Sequence, residues 1–243
     1  MTSENLKSRT AEDARASIGL NGPEAFVDRS LVPNIVGFLH RPASPAQDAL
    51  VLTHGAGSNC RTPLLVEIAE ALAEAGMLVL RCDLSYRQSS PQGPPSPGGS
   101  ERDREGLRNA VLAMRKLAHG RVFLGGHSYG GRQSSLLAAS APDLVEGLLL
   151  LSYPLHPPRK PQQLRTKHFP QLRTPTLFVH GTRDPFGSEE ELTEAVRMIP
   201  ARTDLFFLTG AGHDLKVGEK KVGKKMGPTL AASVQERFAE FFS

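Results

Sequence analysis

Three residues far apart in the chain have the types and surroundings needed for nucleophilic chemistry: Ser128, Asp184 and His213. Ser128 stands in Gly125-Gly126-His127-Ser128-Tyr129-Gly130-Gly131, between the apolar run Arg121-Val122-Phe123-Leu124 and a helix-like segment from Arg132 to Ala141. A G-x-S-x-G turn between strand and helix strains the backbone at its serine, and side chains two residues to either side would collide. Gly126 and Gly130 remove those side chains and leave Ser128 exposed at a strand end. A serine hydroxyl does not ionise at neutral pH, so using it as a nucleophile requires a neighbouring base. His213 fits that need, in the glycine-bearing segment Thr209-Gly210-Ala211-Gly212-His213-Asp214. Asp184, in Gly181-Thr182-Arg183-Asp184-Pro185-Phe186, is the candidate for holding the imidazole's tautomer and stabilising the imidazolium. Asp214, next to His213, and Asp83, after an apolar run at 77–82, compete for that role.

Acyl transfer also needs donors aimed at a developing oxyanion. The backbone N–H of Tyr129, immediately after the serine, would supply one, and Ala56, in the turn His54-Gly55-Ala56-Gly57, would supply the other. His54 and His127 read as hydrogen-bonding and packing residues beside these turns.

The elements that must position these groups follow from hydrophobic patterning. Continuous apolar runs at 49–52, 77–82, 121–125, 147–151, 176–180 and 205–208 suit parallel strands buried on both faces, and 34–40 suits an earlier strand. Amphipathic patterns lie between them. Thr62-Pro63 predicts one helix start, with Leu65, Ile68, Ala69 and Leu72 on a common face. Ser100 with Asp103, and Ser188 with Glu191, predict capping boxes. A last helix is expected from Pro228, burying Leu230, Val234, Phe238 and Phe241. Strand-helix alternation predicts an α/β fold, a mostly parallel twisted sheet with helices on both faces. Ligands in such sheets bind beyond the carboxyl ends of the strands, which is where His54, Ser128, Asp184 and His213 fall. Two irregular connections stand out: Ser89 to Gly99, rich in proline and glycine and expected to be a mobile surface loop, and about 152–174, expected to form a small cap or lid.

Composition sets the frame. The 243 residues suit one domain, taken as 25–243 after a loosely structured lead-in at 1–24. Hydrophobic content of 39% and charged content of 22% are those of a globular protein. No apolar run approaches the length that spans a bilayer, and Met1 to Arg15 lacks a secretory h-region, so no membrane partner and a cytoplasmic location are expected. Cys60 and Cys82 show neither metal-ligand nor redox spacing and read as buried free thiols, with a disulfide disfavoured in that setting. The pattern implies no metal and no cofactor. Net charge is +4. Basic residues gather at Lys216, Lys220, Lys221, Lys224 and Lys225 and at Arg159, Lys160, Arg165, Lys167 and Arg173, without the aromatic interleaving of a nucleic-acid surface. The lysine group reads as a solvated loop or as an attractant for an anionic substrate or partner. Nothing in the pattern selects an oligomeric state.

Leu52-Thr53-His54-Gly55-Ala56-Gly57, the Ser128 turn extended to Arg132, Leu151-Ser152-Tyr153-Pro154-Leu155-His156-Pro157-Pro158 and Gly210-Ala211-Gly212-His213 together resemble the testis-expressed-protein-30-like branch of the α/β-hydrolase superfamily, related to dienelactone hydrolases. The likeness spans roughly 30–242, and the chain order Ser, Asp, His is the superfamily's. The resemblance implies the α/β-hydrolase fold, a Ser128-Asp184-His213 triad and an oxyanion pocket at Ala56 and Tyr129. Dienelactone hydrolases typically use cysteine where this chain has Ser128, so their particular reaction does not carry over. Tyr153, Leu155 and His156, following a strand, are read as pocket-lining residues or as part of a proline-stiffened loop, and Phe186 as a wall of the acyl side. The expected activity is cofactor-free cleavage of a small carboxylic ester or thioester through an acyl-enzyme, with perhydrolysis open to the same triad. The alternative is a hydrolase-fold interaction module without catalysis.

Overall fold

The apolar runs become the central strands, because a strand covered on both faces has no side on which to place polar residues. In the computed structural model, which describes residues 22–96, 98–217 and 229–243, eight strands form one sheet in the order β1-β2-β4-β3-β5-β6-β7-β8. They are β1 (Glu24–Asp28), β2 (Ile35–His40), β3 (Ala49–Thr53), β4 (Leu78–Cys82), β5 (Val122–His127), β6 (Gly147–Leu151), β7 (Thr176–Gly181) and β8 (Thr203–Leu208). Neighbours from β4 through β8 pair in parallel, while β2 runs antiparallel to both β1 and β4. Every residue of β3, β4 and β6 is buried.

The period-two alternation of a strand sends neighbouring residues to opposite layers. Leu50 and Leu52 of β3 join one core layer with Phe123, Leu149 and Leu177, while Ala49 and Val51 join the other with Leu124, Leu148 and Leu150. On the first layer lie α1 (Pro63–Glu74), through Leu65, Ile68 and Leu72, and α6 (Leu230–Phe242), through Val234, Phe238 and Phe242. The second is covered by α3 (Ser100–Leu117), α4 (Tyr129–Ser140) and α5 (Glu189–Val196), with the short α2 (Ser85–Ser89) at the end of β4. The architecture is the expected α/β one, a mostly parallel sheet covered by helices on both faces.

Several local expectations need correction. A strand at Glu24–Asp28 is absent from the sequence reading, which begins the ordered part at 25 and its first strand at 34. This is an edge strand whose Phe26 alone packs against the core, so its apolar signal is weak. Thr62 is the N-cap of α1 and Pro63 its first residue, as expected, but the Thr62 hydroxyl makes no capping bond and donates to Asn59 O at 2.7 Å. Ser100 and Asp103 form no capping box: Gly99 is the N-cap, Ser100 is already helical, and the Asp103 carboxylate is engaged by other elements. Ser188 and Glu191 do form one, with both reciprocal bonds present. α6 begins after the N-cap Thr229, whose hydroxyl accepts from Ala232 N, and Pro228 lies outside the described residues. The 152–174 segment holds one 3-10 turn, Phe169–Gln171, and buries Tyr153, Leu155, Phe169 and Leu172 in the second core layer.

Candidate active site

Ser128 joins β5 to α4 with φ 51° and ψ −114°, a left-handed conformation that a non-glycine residue adopts only when its surroundings impose it. Its N–H donates to Leu151 O at 2.8 Å. The flanking glycines are a steric necessity. A Cβ on Gly130 would lie 2.5 Å from His54 O, and one on Gly126 would lie 2.8 Å from Thr53 O. The turn is thus wedged against the end of β3, and Ser128 keeps its side chain partly exposed.

His213 reaches it from the loop after β8. Its Nδ1 lies 2.7 Å from Asp184 Oδ2 and its Nε2 lies 2.8 Å from Ser128 Oγ. A carboxylate only accepts, so Nδ1 carries the hydrogen, and Nε2 is left free to accept the serine proton. The Asp184 side chain is fully buried, whereas that of His213 is 23% exposed, so water reaches the imidazole but not the carboxylate. Asp184 Oδ1 accepts from Phe186 N at 2.9 Å, which fixes the carboxylate plane. His127, half-buried beside the turn, has its Nε2 2.7 Å from His213 O and donates to it. Burial pushes His127 below the ordinary imidazole range and keeps it neutral.

The competing acids lie elsewhere. Asp214 is exposed and accepts from Lys216 N at 3.2 Å, a turn-forming bond. Asp83 accepts from Cys60 N at 2.7 Å and sits 3.5 Å from His54 Nε2.

The turn after β3 presses against the same serine: a Cβ on Gly55 would lie 3.5 Å from Ser128 Cβ. Gly55 O accepts from Ser58 N at 3.1 Å and from His54 Nδ1 at 2.8 Å, with Ser58 Oγ and Tyr86 OH each at 3.3 Å. His54 Nε2 in turn accepts from Leu84 N, and burial lowers its pKa, so this histidine is neutral with its hydrogen on Nδ1. A trans peptide places its N–H opposite its C=O, so gripping Gly55 O on one side points the Ala56 N–H to the other. The Ser128–Tyr129 peptide is oriented in the same way, because Ser128 O accepts from Arg132 N within α4.

The pocket-lining expectation fails for three residues. Tyr153 and Leu155 are fully buried, Tyr153 packing on Phe169 and Phe178 with its hydroxyl donating to Arg165 O. His156 is 5% exposed and tied to Glu191 Oε2 at 3.2 Å. The apolar core layer takes up the first two side chains and a polar anchor takes the third, so none offers surface to a substrate. Phe186 remains beside the reacting groups, its ring 4.2 Å from that of His213 at an interplanar angle of 31°.

Two residues that the sequence reading passed over hold the site from behind. Tyr86 OH donates to Ala56 O at 2.8 Å, and Asp103, with no exposed surface, accepts from both Tyr86 N and Tyr129 OH at 2.9 Å. Tyr86 lies four positions past the end of β4, so the rule that site residues follow strand ends could have found it. For Asp103 no comparable signal existed, since its position reads as a helix cap. Among the described residues no group of His, Cys, Asp and Glu is arranged to hold a metal ion, and no helix is long and apolar enough to cross a membrane. Cys60 and Cys82 are free and buried, and burial pushes the Cys60 thiol up to about 12. Lys220, Lys221, Lys224 and Lys225 lie outside the described residues.

Residues 46–242 match the family described as alpha/beta hydrolase domain. A dienelactone hydrolase from Anabaena variabilis is similar in structure, at 21% identity and TM-score 0.67 over 91% of this chain and 98% of that one. Est1E from Butyrivibrio proteoclasticus matches at 17% identity and TM-score 0.67 over 90% and 98%. XC6422 from Xanthomonas campestris, described as an α/β serine hydrolase without a lid, matches at 15% and 0.62 over 80% and 87%. At these identities the likeness is one of fold. Matched to that family over most of its length and folded accordingly, the chain belongs to the alpha/beta hydrolase domain family.

Proposed function

We propose that the protein is a serine hydrolase of the carboxylesterase or thioesterase type, acting on a small ester or thioester without cofactor. Hydrolysis is the general activity that its family supports. The observation that carries the finer reading is the unbroken chain from Ser128 Oγ to His213 Nε2 at 2.8 Å and from His213 Nδ1 to Asp184 Oδ2 at 2.7 Å. Ser128 Oγ attacks the substrate carbonyl as Nε2 takes its proton, and the buried Asp184 carboxylate stabilises the imidazolium that forms. The negative charge that develops on the carbonyl oxygen meets the N–H groups of Ala56 and Tyr129. His213 returns the proton to the departing alcohol or thiol, leaving Ser128 acylated. Water, deprotonated by the same imidazole, then releases the acid. A lactone is a cyclic ester, so the structural likeness to a dienelactone hydrolase agrees with this class of bond. The Leu151 to Pro158 segment supports the finer placement in the testis-expressed-protein-30-like branch, and the two free thiols suit a cytoplasmic setting.

The test is labelling with a fluorophosphonate, read by intact mass and peptide mapping, beside turnover of p-nitrophenyl acetate. The expected result is one phosphonyl adduct on Ser128, and an ester turnover that falls by about 10⁴ or more in Ser128→Ala. Equal turnover in the two proteins would sink the proposal.

A further inference from the structure

The Asp103 carboxylate is fully buried in α3, yet neither of its oxygens serves its own helix. Oδ1 accepts from Tyr86 N, at the start of α2, and Oδ2 accepts from Tyr129 OH, at the start of α4, each at 2.9 Å. Those two tyrosines lead to the two peptides that face the reacting carbonyl. Tyr129 supplies one N–H directly and is the first residue of α4. Tyr86 reaches the turn that carries the other: its hydroxyl lies 3.3 Å from Gly55 O, the carbonyl of the peptide that bears the Ala56 N–H, and donates at 2.8 Å to Ala56 O, the carbonyl of the next peptide. Arg87, the next residue, reinforces the grip by donating to Ser58 O at 2.8 Å and to Ala56 O at 3.1 Å. The two tyrosine rings also meet edge to face, with centroids 6.0 Å apart.

We propose that Asp103 is a positioning residue that fixes the two oxyanion donors relative to each other, by holding Tyr129 and Tyr86 with one carboxylate. This inference rests on the serine hydrolase reading. The physical case is that an oxyanion hole works only if both donors are set before charge develops, and β3 and β5 deliver them on separate turns. A single rigid acceptor that holds both tyrosines, one in the second turn and one bonded to the first, restrains their relative motion. Charge-assisted bonds in a dry site suit that task. Burial and the neighbouring Asp103 charge push the Tyr129 phenol above its ordinary range, so it remains a donor at any working pH.

The experiment compares Asp103→Ala, Asp103→Asn, Tyr129→Phe and Tyr86→Phe with the wild type, measuring kcat and KM on p-nitrophenyl acetate, the rate of Ser128 phosphonylation and Tm. Asp103→Ala should lower kcat and the phosphonylation rate tenfold or more, with KM within twofold and the acid limb of the pH profile unmoved, because the base half is untouched. Asp103→Asn should recover most of the loss, since its amide can accept from Tyr86 N while donating to Tyr129 O. Should Asp103→Ala fail to fold, the two phenylalanine variants decide the matter. Each should lose severalfold in kcat, and the double variant should lose less than the product of the two, because both arms meet at one carboxylate. Unimpaired kcat and phosphonylation in both phenylalanine variants would overturn the positioning role and leave the hydrolase reading standing. Loss of activity only in step with Tm, restored on cooling, would also overturn it. A wild type whose Ser128 takes no fluorophosphonate would overturn the hydrolase reading first and this inference with it.

Discussion

Two buried carboxylates hold the two halves of the site, and they are held in different ways. Asp184 accepts one backbone N–H and one side-chain donor, as does Asp103. The backbone donor of Asp184 is Phe186, two residues along the same turn, so part of its orientation is set within that turn. Both donors of Asp103 come from other helices. The base half is therefore assembled from two neighbouring loops, after β7 and β8, whose strands pair along their whole length. The contacts of the proposed oxyanion half join α2, α3 and α4, and so require all three to have packed. In the proposed mechanism one carboxylate orients a proton acceptor, while the other orients backbone donors it never touches.

Breaking the first half should have the largest effect. In Asp184→Asn the charge that stabilises the imidazolium is lost, and an amide N–H presented to His213 Nδ1 makes that nitrogen the acceptor. The forced tautomer puts hydrogen on Nε2, which can then no longer accept from Ser128. Ester turnover should fall by about 10⁴, as measured by kcat. Asp214→Asn should stay within twofold of wild type, which sharpens the contrast between adjacent candidates. Asp103→Ala should cost about tenfold or more and each tyrosine-to-phenylalanine variant severalfold, separating an orienter of donors from an orienter of the base.

A smaller effect should appear in stability rather than in rate. Burial holds His54, His127, His168 and His180 below the ordinary imidazole value, His168 at about 4, with the Arg132 charge adding to the same direction there. On acidification the unfolded chain takes up these protons first, near pH 6.5. Stability should accordingly be full above that pH and decline from there toward about 4, where His168 protonates in the folded state as well. Tm measured from pH 7 to 4 should show the fall, and His168→Gln should make it shallower. The smallest expected change is in Ser188→Ala, which removes the capping bond of α5. It should lower stability by about 1 kcal/mol in urea unfolding and leave kcat unchanged.

That last variant bears on what can be read locally. Ser188-to-Glu191 and Ser100-to-Asp103 have the same spacing, yet only the first forms a box. A glutamate at N3 can reach back to its own N-cap, and nothing competes for it except His156, which shares the same oxygen. Asp103 has two better donors within reach from other elements, and Ser100 has slipped into the helix. Tyr153 and Leu155 fail for a related reason. They follow a strand, as site residues do, but the chain turns them into the core layer instead of toward the serine.

Local rules determined a good deal by themselves. The buried strands followed from their unbroken apolar runs, and the elbow followed from the glycines that its crowded backbone demands. The strand-end placement of Ser128, Asp184 and His213 followed from the periodicity around them. The sequence favoured Asp184 over Asp214 and Asp83 for His213, and the contact between them follows from the packed loops, while the link from Asp103 to Tyr86 and Tyr129 was decided by the tertiary structure alone. The physical reason is range. Backbone conformation and hydrophobic period are properties of a few consecutive residues, whereas a hydrogen bond between helices depends on the packing that brings its partners together.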